Sequence, residues 1–201
     1  MHIQIRATEE QKTILSQKNI KPEYKISWFK NEIIVADAYV DLIDDNHSTF
    51  LTILSQPVIF NSIVNTCENY SNNFCRINAW NGFLEKDKIE AATLLISSKP
   101  IFEKILNGLG FEVLFVPDII GLVSPRAISM IINEAYFGLE DEISTKKDID
   151  TAMKLGTNYP YGPFEWGEKI GLSKIATLLI ELSKTDARYT PSTLLLQEAK
   201  L

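Results

Sequence analysis

The 201-residue sequence is poor in the residue types that build metal centres and disulfide frameworks. It contains two cysteines, Cys67 and Cys75, and two histidines, His2 and His47. Two thiols in a chain of this length do not make a disulfide framework, and the histidines do not complete the Cys/His spacing of a zinc site. We therefore predict that the chain binds no metal through these residues.

Four aspartates lie close together in the sequence, at Asp37, Asp41, Asp44 and Asp45. Carboxylates are the ligands that hard cations prefer, but the glycine-turned loop of such sites is missing here. We predict a solvated acidic face for this group, because a run of like charges usually faces water. The sequence gives the stretch 37–45 no other role.

Long apolar runs and a surplus of basic residues are also missing. No run approaches the roughly 20 residues that span a bilayer, and residues 1–6 lack the pattern of a signal peptide. The net charge is −6, from 20 basic and 26 acidic residues. Such a chain offers no basic field for phosphates. We expect a cytoplasmic protein with no membrane contact and no nucleic-acid partner.

Short apolar stretches alternate with helical patterns over residues 1–117. Helices are predicted from Thr8, which pairs with Gln11 as a capping box, and from Pro100 to Leu109. Strand-like stretches lie at 2–6, 33–36, 57–60, 76–80, 89–96 and 111–116. Strands alternating with helices predict a mostly parallel sheet.

Residues 118–201 have helical patterns throughout. Ser124 followed by Pro125 is typical of a helix start, and Thr145 and Thr190 indicate two further starts. Another helix is predicted over 172–182, between the starts at Thr145 and Thr190. These patterns predict an all-helical unit whose boundary lies near Pro117.

An apolar stripe follows the first of these helices. It comprises Ile128, Ile131, Ile132, Ala135 and Leu139, and the terminal residues Leu194, Leu195 and Leu196 add to it. A unit of 84 residues does not easily hide this much apolar surface alone. The stripe therefore predicts a homodimer formed through these C-terminal helices.

Several linked motifs resemble the C-terminal domain of the 3-hydroxyacyl-CoA dehydrogenase family. They are IINEA at 131–135, DIDTAMKLG at 148–156, NYPYGPFEW at 158–166 and RYTP at 188–191. The resemblance implies a shortened Rossmann-like domain at 1–117 and an all-helical dimerisation domain at 118–201, which closes one side of an acyl-CoA cleft. From the residues themselves, Gly156 ends a helix, 160–163 form a turn, and Phe164 and Trp166 are core residues.

The resemblance also implies that NAD binds at a glycine-rich turn after the first strand. The corresponding stretch, 5–11, contains no glycine and places Glu9 and Glu10 where the pyrophosphate would lie. Glycines allow close approach of the backbone, and like charges repel. NAD is implied by the resemblance alone, and these residues do not suit it. We therefore expect no bound cofactor. Residues 1–117 are also shorter than the family's nucleotide domain, by one or more strand–helix units.

The family's catalytic pair is a His and, twelve residues later, a Glu that orients it. The stretch 76–82 resembles the segment around that His, and Glu90 matches the Glu, so Asn78 stands in place of the His. A carboxamide does not titrate near neutral pH and cannot be the general base. Glu90 is then a remaining orienting group or a substitute base. The alternative is a strand carboxylate held by its neighbours or by water.

Three residues are candidates for substrate binding. The family has an Asn beside an Arg at the start of its long helix; here Pro125 replaces the Asn, next to Arg126. Asn61 and Ser62 lie roughly where the family has an Asn-Thr-Ser stretch. They could contact an acyl-CoA, or they could simply form the turn after a strand.

Three functions are open. The chain could be an active NAD-dependent oxidoreductase that interconverts 3-hydroxyacyl-CoA and 3-oxoacyl-CoA, with Glu90 as base. It could be a non-catalytic acyl-CoA-binding or regulatory dimer, or a scaffold subunit that partners an active homologue. The missing glycines and the missing His favour the second and third functions over the first.

Overall fold

The structure, a computed structural model, describes residues 1–44 and 48–201. It divides into two compact units, Met1–Leu122 and Val123–Leu201, close to the boundary predicted near Pro117. Asp45 and His47 lie outside the described residues. No helix in the described part of the chain combines the length and the hydrophobicity that crossing a membrane would require.

The described residues of the first unit form a seven-stranded sheet. Its order is β2-β1-β3-β4-β5-β6-β7, and every neighbouring pair is parallel except β5–β6. The strands are β1 His2–Arg6, β2 Lys25–Trp28, β3 Ala38–Asp41, β4 Val58–Asn61, β5 Phe74–Ile77, β6 Lys88–Thr93 and β7 Glu112–Phe115. The predicted mostly parallel, Rossmann-like sheet is confirmed.

Two helices of the first unit, α1 (Glu9–Ser16) and α2 (Lys99–Gly108), pack on the same face of this sheet. The predicted capping box opens α1: the Gln11 amide donates to Thr8 Oγ1 at 3.2 Å, and the Thr8 amide donates to Gln11 Oε1 at 3.0 Å. Both helices bury apolar side chains against the central strands, because their apolar residues recur at helical spacing.

The opposite sheet face is covered by aromatic side chains, and neither α1 nor α2 contributes to it. Phe50 packs against Phe29 and Tyr39, with ring centroids 5.7 and 5.1 Å apart. Phe60, Tyr70 and Phe74 form a second group with centroid separations between 4.8 and 5.8 Å. We call these six rings the aromatic face.

The strand predicted at 33–36 is wrong, and β2 was not predicted. Residues 33–36 lie outside the sheet, and the strand begins at Ala38. The reason is a side-chain contact: Gln4 Nε2 donates to the Glu32 carbonyl at 2.7 Å, and Gln4 Oε1 accepts from the Ile34 amide at 3.0 Å. The backbone of this segment is thus held by a buried carboxamide rather than by a neighbouring strand.

The second unit is helical, as predicted. Its helices are α3 Ser124–Glu140, α4 Lys146–Thr157, α5 Pro163–Ile170, α6 Leu172–Ser183 and α7 Thr193–Ala199. Helix α3 packs against α5, α6 and α7. Helix α5 was not predicted, because its first residues were interpreted as part of a turn; the core positions of Phe164 and Trp166 are confirmed by their burial.

Several helix ends differ from the prediction. Ser124 is the first residue of α3 rather than its cap, and no side chain caps that helix. Helix α7 starts three residues after Thr190, since Ser192 Oγ accepts the Leu195 amide at 3.2 Å. Helix α4 continues past Gly156 to Thr157, and the next residue, Asn158, has a left-handed φ of 55°. The Ser192 side chain thus sets the start of α7, and the left-handed backbone of Asn158 ends α4.

The apolar stripe is largely the core of the second unit itself. Ile132 and Leu195 are fully buried, and Ile128 and Ala135 are buried. The argument that this stripe is surplus surface is therefore wrong, because α5, which was not predicted, supplies part of the missing partner surface. Homodimerisation stays a prediction on other grounds.

Candidate functional site

An ion pair lies at the carboxyl ends of β1 and β3. Strand β1 has β2 on one side and β3 on the other, and ligands of doubly wound folds bind outside the carboxyl ends at such a point. Arg6 and Asp41, the last residues of the two strands, are direct partners in the sheet. Arg6 Nη1 lies 3.2 Å from Asp41 Oδ2, with Asp41 fully buried and the Arg6 side chain 20% exposed. The edge thus carries a partly buried pair of opposite charges.

Asp41 is held by more than Arg6. Its carboxylate accepts hydrogen bonds from Ser48 Oγ at 3.0 Å, the Thr49 amide at 2.9 Å and the Ile43 amide at 3.2 Å. Burial raises the pKa of Asp41 above its usual value, although the Thr49 amide and the Arg6 guanidinium act in the opposite direction. The predicted solvated face is therefore wrong for Asp41.

The other described aspartates of that group have separate partners. Asp37 accepts the His2 amide at 2.7 Å, and Asp44 accepts Trp80 Nε1 at 2.6 Å. Within residues 1–44 and 48–201, no cluster of His, Cys, Asp and Glu side chains could hold a metal ion. These carboxylates stabilise the fold at different places rather than converging on one point.

Asn61, at the end of β4, connects the segments that follow two neighbouring strands. Its Nδ2 donates to the Leu42 carbonyl at 3.1 Å, and its Oδ1 accepts the Ala79 amide at 3.0 Å. Ser62 Oγ donates to the Asn65 carbonyl at 3.0 Å. Both side chains are buried. The contacts of Asn61 and Ser62 are those of a turn that holds the carboxyl edge of the sheet together.

The structure brings Asn78 and Glu90 together. Asn78 follows β5 and Glu90 lies in the antiparallel strand β6, so the Asn78 amide donates to the Glu90 carbonyl at 3.1 Å. Asn78 Oδ1 accepts the Trp80 amide at 3.2 Å, and the Asn78 side chain is buried. Glu90 is half-buried. The two residues of the pair implied by the resemblance are thus adjacent in space, and the Asn78 carboxamide oxygen is hydrogen-bonded to the backbone amide of Trp80.

A buried arginine that sequence reasoning missed holds the same edge. Arg76 is fully buried in β5, and its Nε lies 2.5 Å from Asp118 Oδ1. Its other nitrogens donate to the carbonyls of Ile63 at 3.2 Å and Ile119 at 2.5 Å. Asp118 also accepts the Cys67 amide at 2.8 Å. The signal in the sequence is a charged residue inside an otherwise apolar strand, since a buried charge requires a partner.

Both cysteines are buried free thiols. Burial, and then the charge of Asp118, raises the pKa of Cys67 to about 12. Burial also raises the pKa of Cys75 well above its usual value. Since the thiolate is the reactive form, neither residue is a nucleophile at neutral pH.

The strongest motif of the second unit builds the start of α5. Asp150 Oδ1, from α4, accepts the Phe164 amide at 2.8 Å, and a Cβ on Gly162 would lie only 2.2 Å from the same oxygen. Glu165 accepts the Gly162 amide at 2.9 Å and binds Lys154 Nζ at 2.5 Å. Gly162 is thus required for close packing, and a carboxylate from another helix caps α5.

Arg126 and Arg188 both contact Tyr189. Their guanidinium carbons lie 5.6 and 4.6 Å from the centre of the Tyr189 ring. Arg188 Nη2 donates to the Tyr189 hydroxyl at 2.7 Å, and Arg126 Nη1 lies 3.5 Å from the same oxygen. Asp186 pairs with Arg188 Nε at 2.9 Å. This cluster joins the start of α3 to the segment before α7.

Known proteins resemble the chain chiefly in its second unit. Residues 121–200 match the family profile described as 3-hydroxyacyl-CoA dehydrogenase, C-terminal domain. The 3-hydroxyadipyl-CoA dehydrogenase of Escherichia coli strain K12 is 45% identical over 94 residues, which are 46% of this chain and 20% of that protein. The 3-hydroxybutyryl-CoA dehydrogenase of Clostridioides difficile is 39% identical over 77 residues, 37% of this chain and 27% of that one. The matched stretches therefore span less than a third of these relatives.

Solved structures extend the likeness in fold to nearly the whole chain. The (S)-3-hydroxybutyryl-CoA dehydrogenase of Ralstonia eutropha has a TM-score of 0.75 at 16% identity, covering 98% of this chain and 92% of that one. The 3-hydroxybutyryl-CoA dehydrogenase of Escherichia coli K12 has a TM-score of 0.63 at 26% identity, covering 86% of this chain and 39% of the other. The chain therefore has a Rossmann-like unit followed by a helical unit that is similar to the C-terminal domain of 3-hydroxyacyl-CoA dehydrogenases.

Proposed function

We propose that the chain binds an acyl-CoA thioester as a cytoplasmic homodimer, with little or no hydride transfer. It acts as an acyl-CoA-binding or scaffold member of its family. The ligand class is supported by the C-terminal family domain and by relatives named as dehydrogenases of 3-hydroxyadipyl-CoA and 3-hydroxybutyryl-CoA.

The observation that carries this proposal is the Arg6–Asp41 pair at the carboxyl ends of β1 and β3. A dinucleotide would place its pyrophosphate against glycine backbone and the free amides of a helix N-terminus there. Here the turn has side chains at every position, Thr8 caps α1, and Glu9 and Glu10 occupy the first turn. These residues do not fit NAD.

The position of Asn78 supports the same proposal. A carboxamide cannot accept the hydroxyl proton of a 3-hydroxyacyl group at neutral pH. Its side-chain oxygen already accepts the Trp80 amide, and the backbone amide of Asn78 donates to the backbone carbonyl of Glu90. Asn78 therefore acts as a structural residue at the end of β5.

One observation favours the alternative, an active NAD-dependent oxidoreductase. Glu90 lies beside Asn78 on the neighbouring strand, as the resemblance implies for the catalytic pair. In that function the Glu90 carboxylate would accept the hydroxyl proton directly. The cofactor would have to bind without the glycine-rich turn.

The first experiment compares binding with turnover. Calorimetry with acetoacetyl-CoA is expected to show saturable binding, while NADH absorbance stays constant at high protein concentration. Turnover that is lost in Glu90→Gln would contradict the proposal and establish Glu90 as the base. Glu112→Gln is the matched control, because Glu112 is a carboxylate on the adjacent strand β7 and its side chain is 67% exposed.

The homodimer is tested separately. It is supported by the role that the resemblance implies for the helical domain, and by the exposed side chains of Ile143 and Leu155 in the second unit. Light scattering should give twice the mass of one chain. A monomer at micromolar concentration would rule the homodimer out, whereas co-purification with an intact dehydrogenase would favour the scaffold role.

A further inference from the structure

We propose that Arg126, Arg188 and Tyr189 form an oxyanion-binding site on the second unit. The site would hold a carboxylate or a phosphate group of the acyl-CoA. The identity of this ligand rests on the proposed function, but the site itself rests on the geometry of the three side chains.

The first argument is the convergence of two cations on one neutral oxygen. Arg188 and Arg126 each place a nitrogen within 3.5 Å of the Tyr189 hydroxyl oxygen. Both guanidinium groups also stack near the Tyr189 ring, which is buried. Arg126, Arg188 and Asp186 carry two positive charges and one negative charge, so an anion beside the Tyr189 hydroxyl would be attracted to this cluster.

The second argument is the location of Arg126 in the first turn of α3. The N-terminus of a helix carries a partial positive charge, which disfavours cations and favours anions. Helix α3 has 17 residues, no acidic side chain in its first turn and no side-chain cap. In a chain of net charge −6, the helix terminus and the two arginines, one of them paired with Asp186, therefore favour an anion at this place.

The third argument is the number of hydrogen-bond donors that remain for a ligand. A guanidinium has five N–H groups, and the contacts of Arg188 with Asp186 and Tyr189 use two of them. The Tyr189 oxygen accepts from the arginines, so its own proton can be donated to a third group. The Arg188 and Asp186 side chains are 64% and 43% exposed, and an ion pair of this kind is weak and easily rearranged. An oxyanion could thus bind Arg188 through two hydrogen bonds and Tyr189 through a third.

The test measures binding of five probes by calorimetry at low salt. They are succinyl-CoA, acetyl-CoA, free CoA, succinate and pyrophosphate. Arg188→Gln removes the exposed guanidinium and leaves the packing of Arg126 on Tyr189 in place. The matched control is Lys147→Gln, which removes one positive charge from an exposed position of α4.

Arg188→Gln is expected to weaken binding by roughly tenfold to a hundredfold, which corresponds to loss of a hydrogen bond to a charged group. Lys147→Gln should bind like the wild type. If the loss is confined to succinyl-CoA and succinate, the site binds a carboxylate of the acyl group. If all CoA compounds and pyrophosphate lose affinity equally, the site binds phosphate. Tyr189→Phe, which keeps the ring, should weaken the same probes by a smaller factor.

The outcomes separate this inference from the proposed function. Equal affinity of a thioester for the wild type and Arg188→Gln would overturn the inference and leave acyl-CoA binding intact. Binding of succinate or pyrophosphate that depends on Arg188, with no binding of any thioester, would support the site and overturn the proposed function. Absence of binding for all five probes would overturn both.

Discussion

Asp150 and Gly162 should be energetically coupled, because the carboxylate of one fills the space where a side chain of the other would lie. A Cβ on Gly162 would come within 2.2 Å of Asp150 Oδ1 and 2.4 Å of its Cβ and Cγ. Gly162 has a φ of −72°, which any residue adopts, so Gly162→Ala tests packing rather than backbone strain. Asp150→Gly removes all three crowded atoms and also the acceptor of the Phe164 amide.

Each single change is expected to lower the free energy of unfolding by about 3 kcal/mol. For Gly162→Ala the cause is overpacking, which costs about 1–3 kcal/mol. For Asp150→Gly the causes are a lost charge-assisted hydrogen bond, about 1.5–3 kcal/mol, and glycine within a helix, about 1 kcal/mol. The double variant should lose about 3 kcal/mol, as Asp150→Gly does alone, rather than the additive value of about 6 kcal/mol, because the overpacking is gone.

Urea unfolding followed by helical circular dichroism measures this cycle. Gly156→Ala is the matched control, since nothing lies within 4 Å of its added Cβ; it should leave stability unchanged or raise it by up to about 1 kcal/mol. Strictly additive losses in the double variant would refute the reasoning, because two residues in contact would then behave as independent sites.

Three further predictions concern the charged contacts. Burial raises the pKa of Asp41, so the folded state binds its proton more tightly than the unfolded state does. The unfolding free energy of the wild type minus that of Asp41→Asn should therefore rise as pH falls through the raised pKa, and it should reach its full value below pH 3.8. A difference that does not change with pH would contradict this. Arg76→Met leaves the Asp118 carboxylate without its ion partner and should lower stability by about 3–5 kcal/mol in urea unfolding; a loss under about 1 kcal/mol would argue against the contact. Glu198→Gln weakens the contacts of α7 with Lys146 and Tyr136. The amides of α7 should therefore exchange hydrogen faster in this variant than in the wild type, while those of α6 stay the same; unchanged exchange in α7 would count against that anchor.

The sequence predicted the elements whose signals are local. The Thr8–Gln11 capping box, the helix after Pro100 and the alternation of strands and helices depend on residues a few positions apart. The carboxylate that caps α5 comes from Asp150, fourteen positions before its partner Phe164. No pattern of neighbouring residues contains that contact, so the start of α5 was interpreted as a turn.

The same limit applies to the candidate site. The neighbourhood of Asn78 and Glu90 was predicted through the family resemblance, and the structure places Asn78 directly after β5 and Glu90 in the paired strand β6. The Arg6–Asp41 pair depends on the register of β1 with β3 across 35 positions, and the sequence does not show that register. Arg76 was likewise recognised only as part of a strand, because its partner Asp118 follows β7, two strands away in the sheet.

The aromatic face shows how a sheet of this type can be built from a short chain. Strands β3, β4 and β5 are buried at every position, although α1 and α2 cover one side only. An aromatic side chain buries about 150–250 Å² and has only two rotatable bonds to order. A covering helix must order roughly a dozen residues and all their backbone angles. On the aromatic face, three of the six rings belong to the strands themselves, and Phe29, Phe50 and Tyr70 come from the segments that connect strands. The connections thus cover the sheet without a helix on this side, and a domain can lose helical length without exposing its central strands.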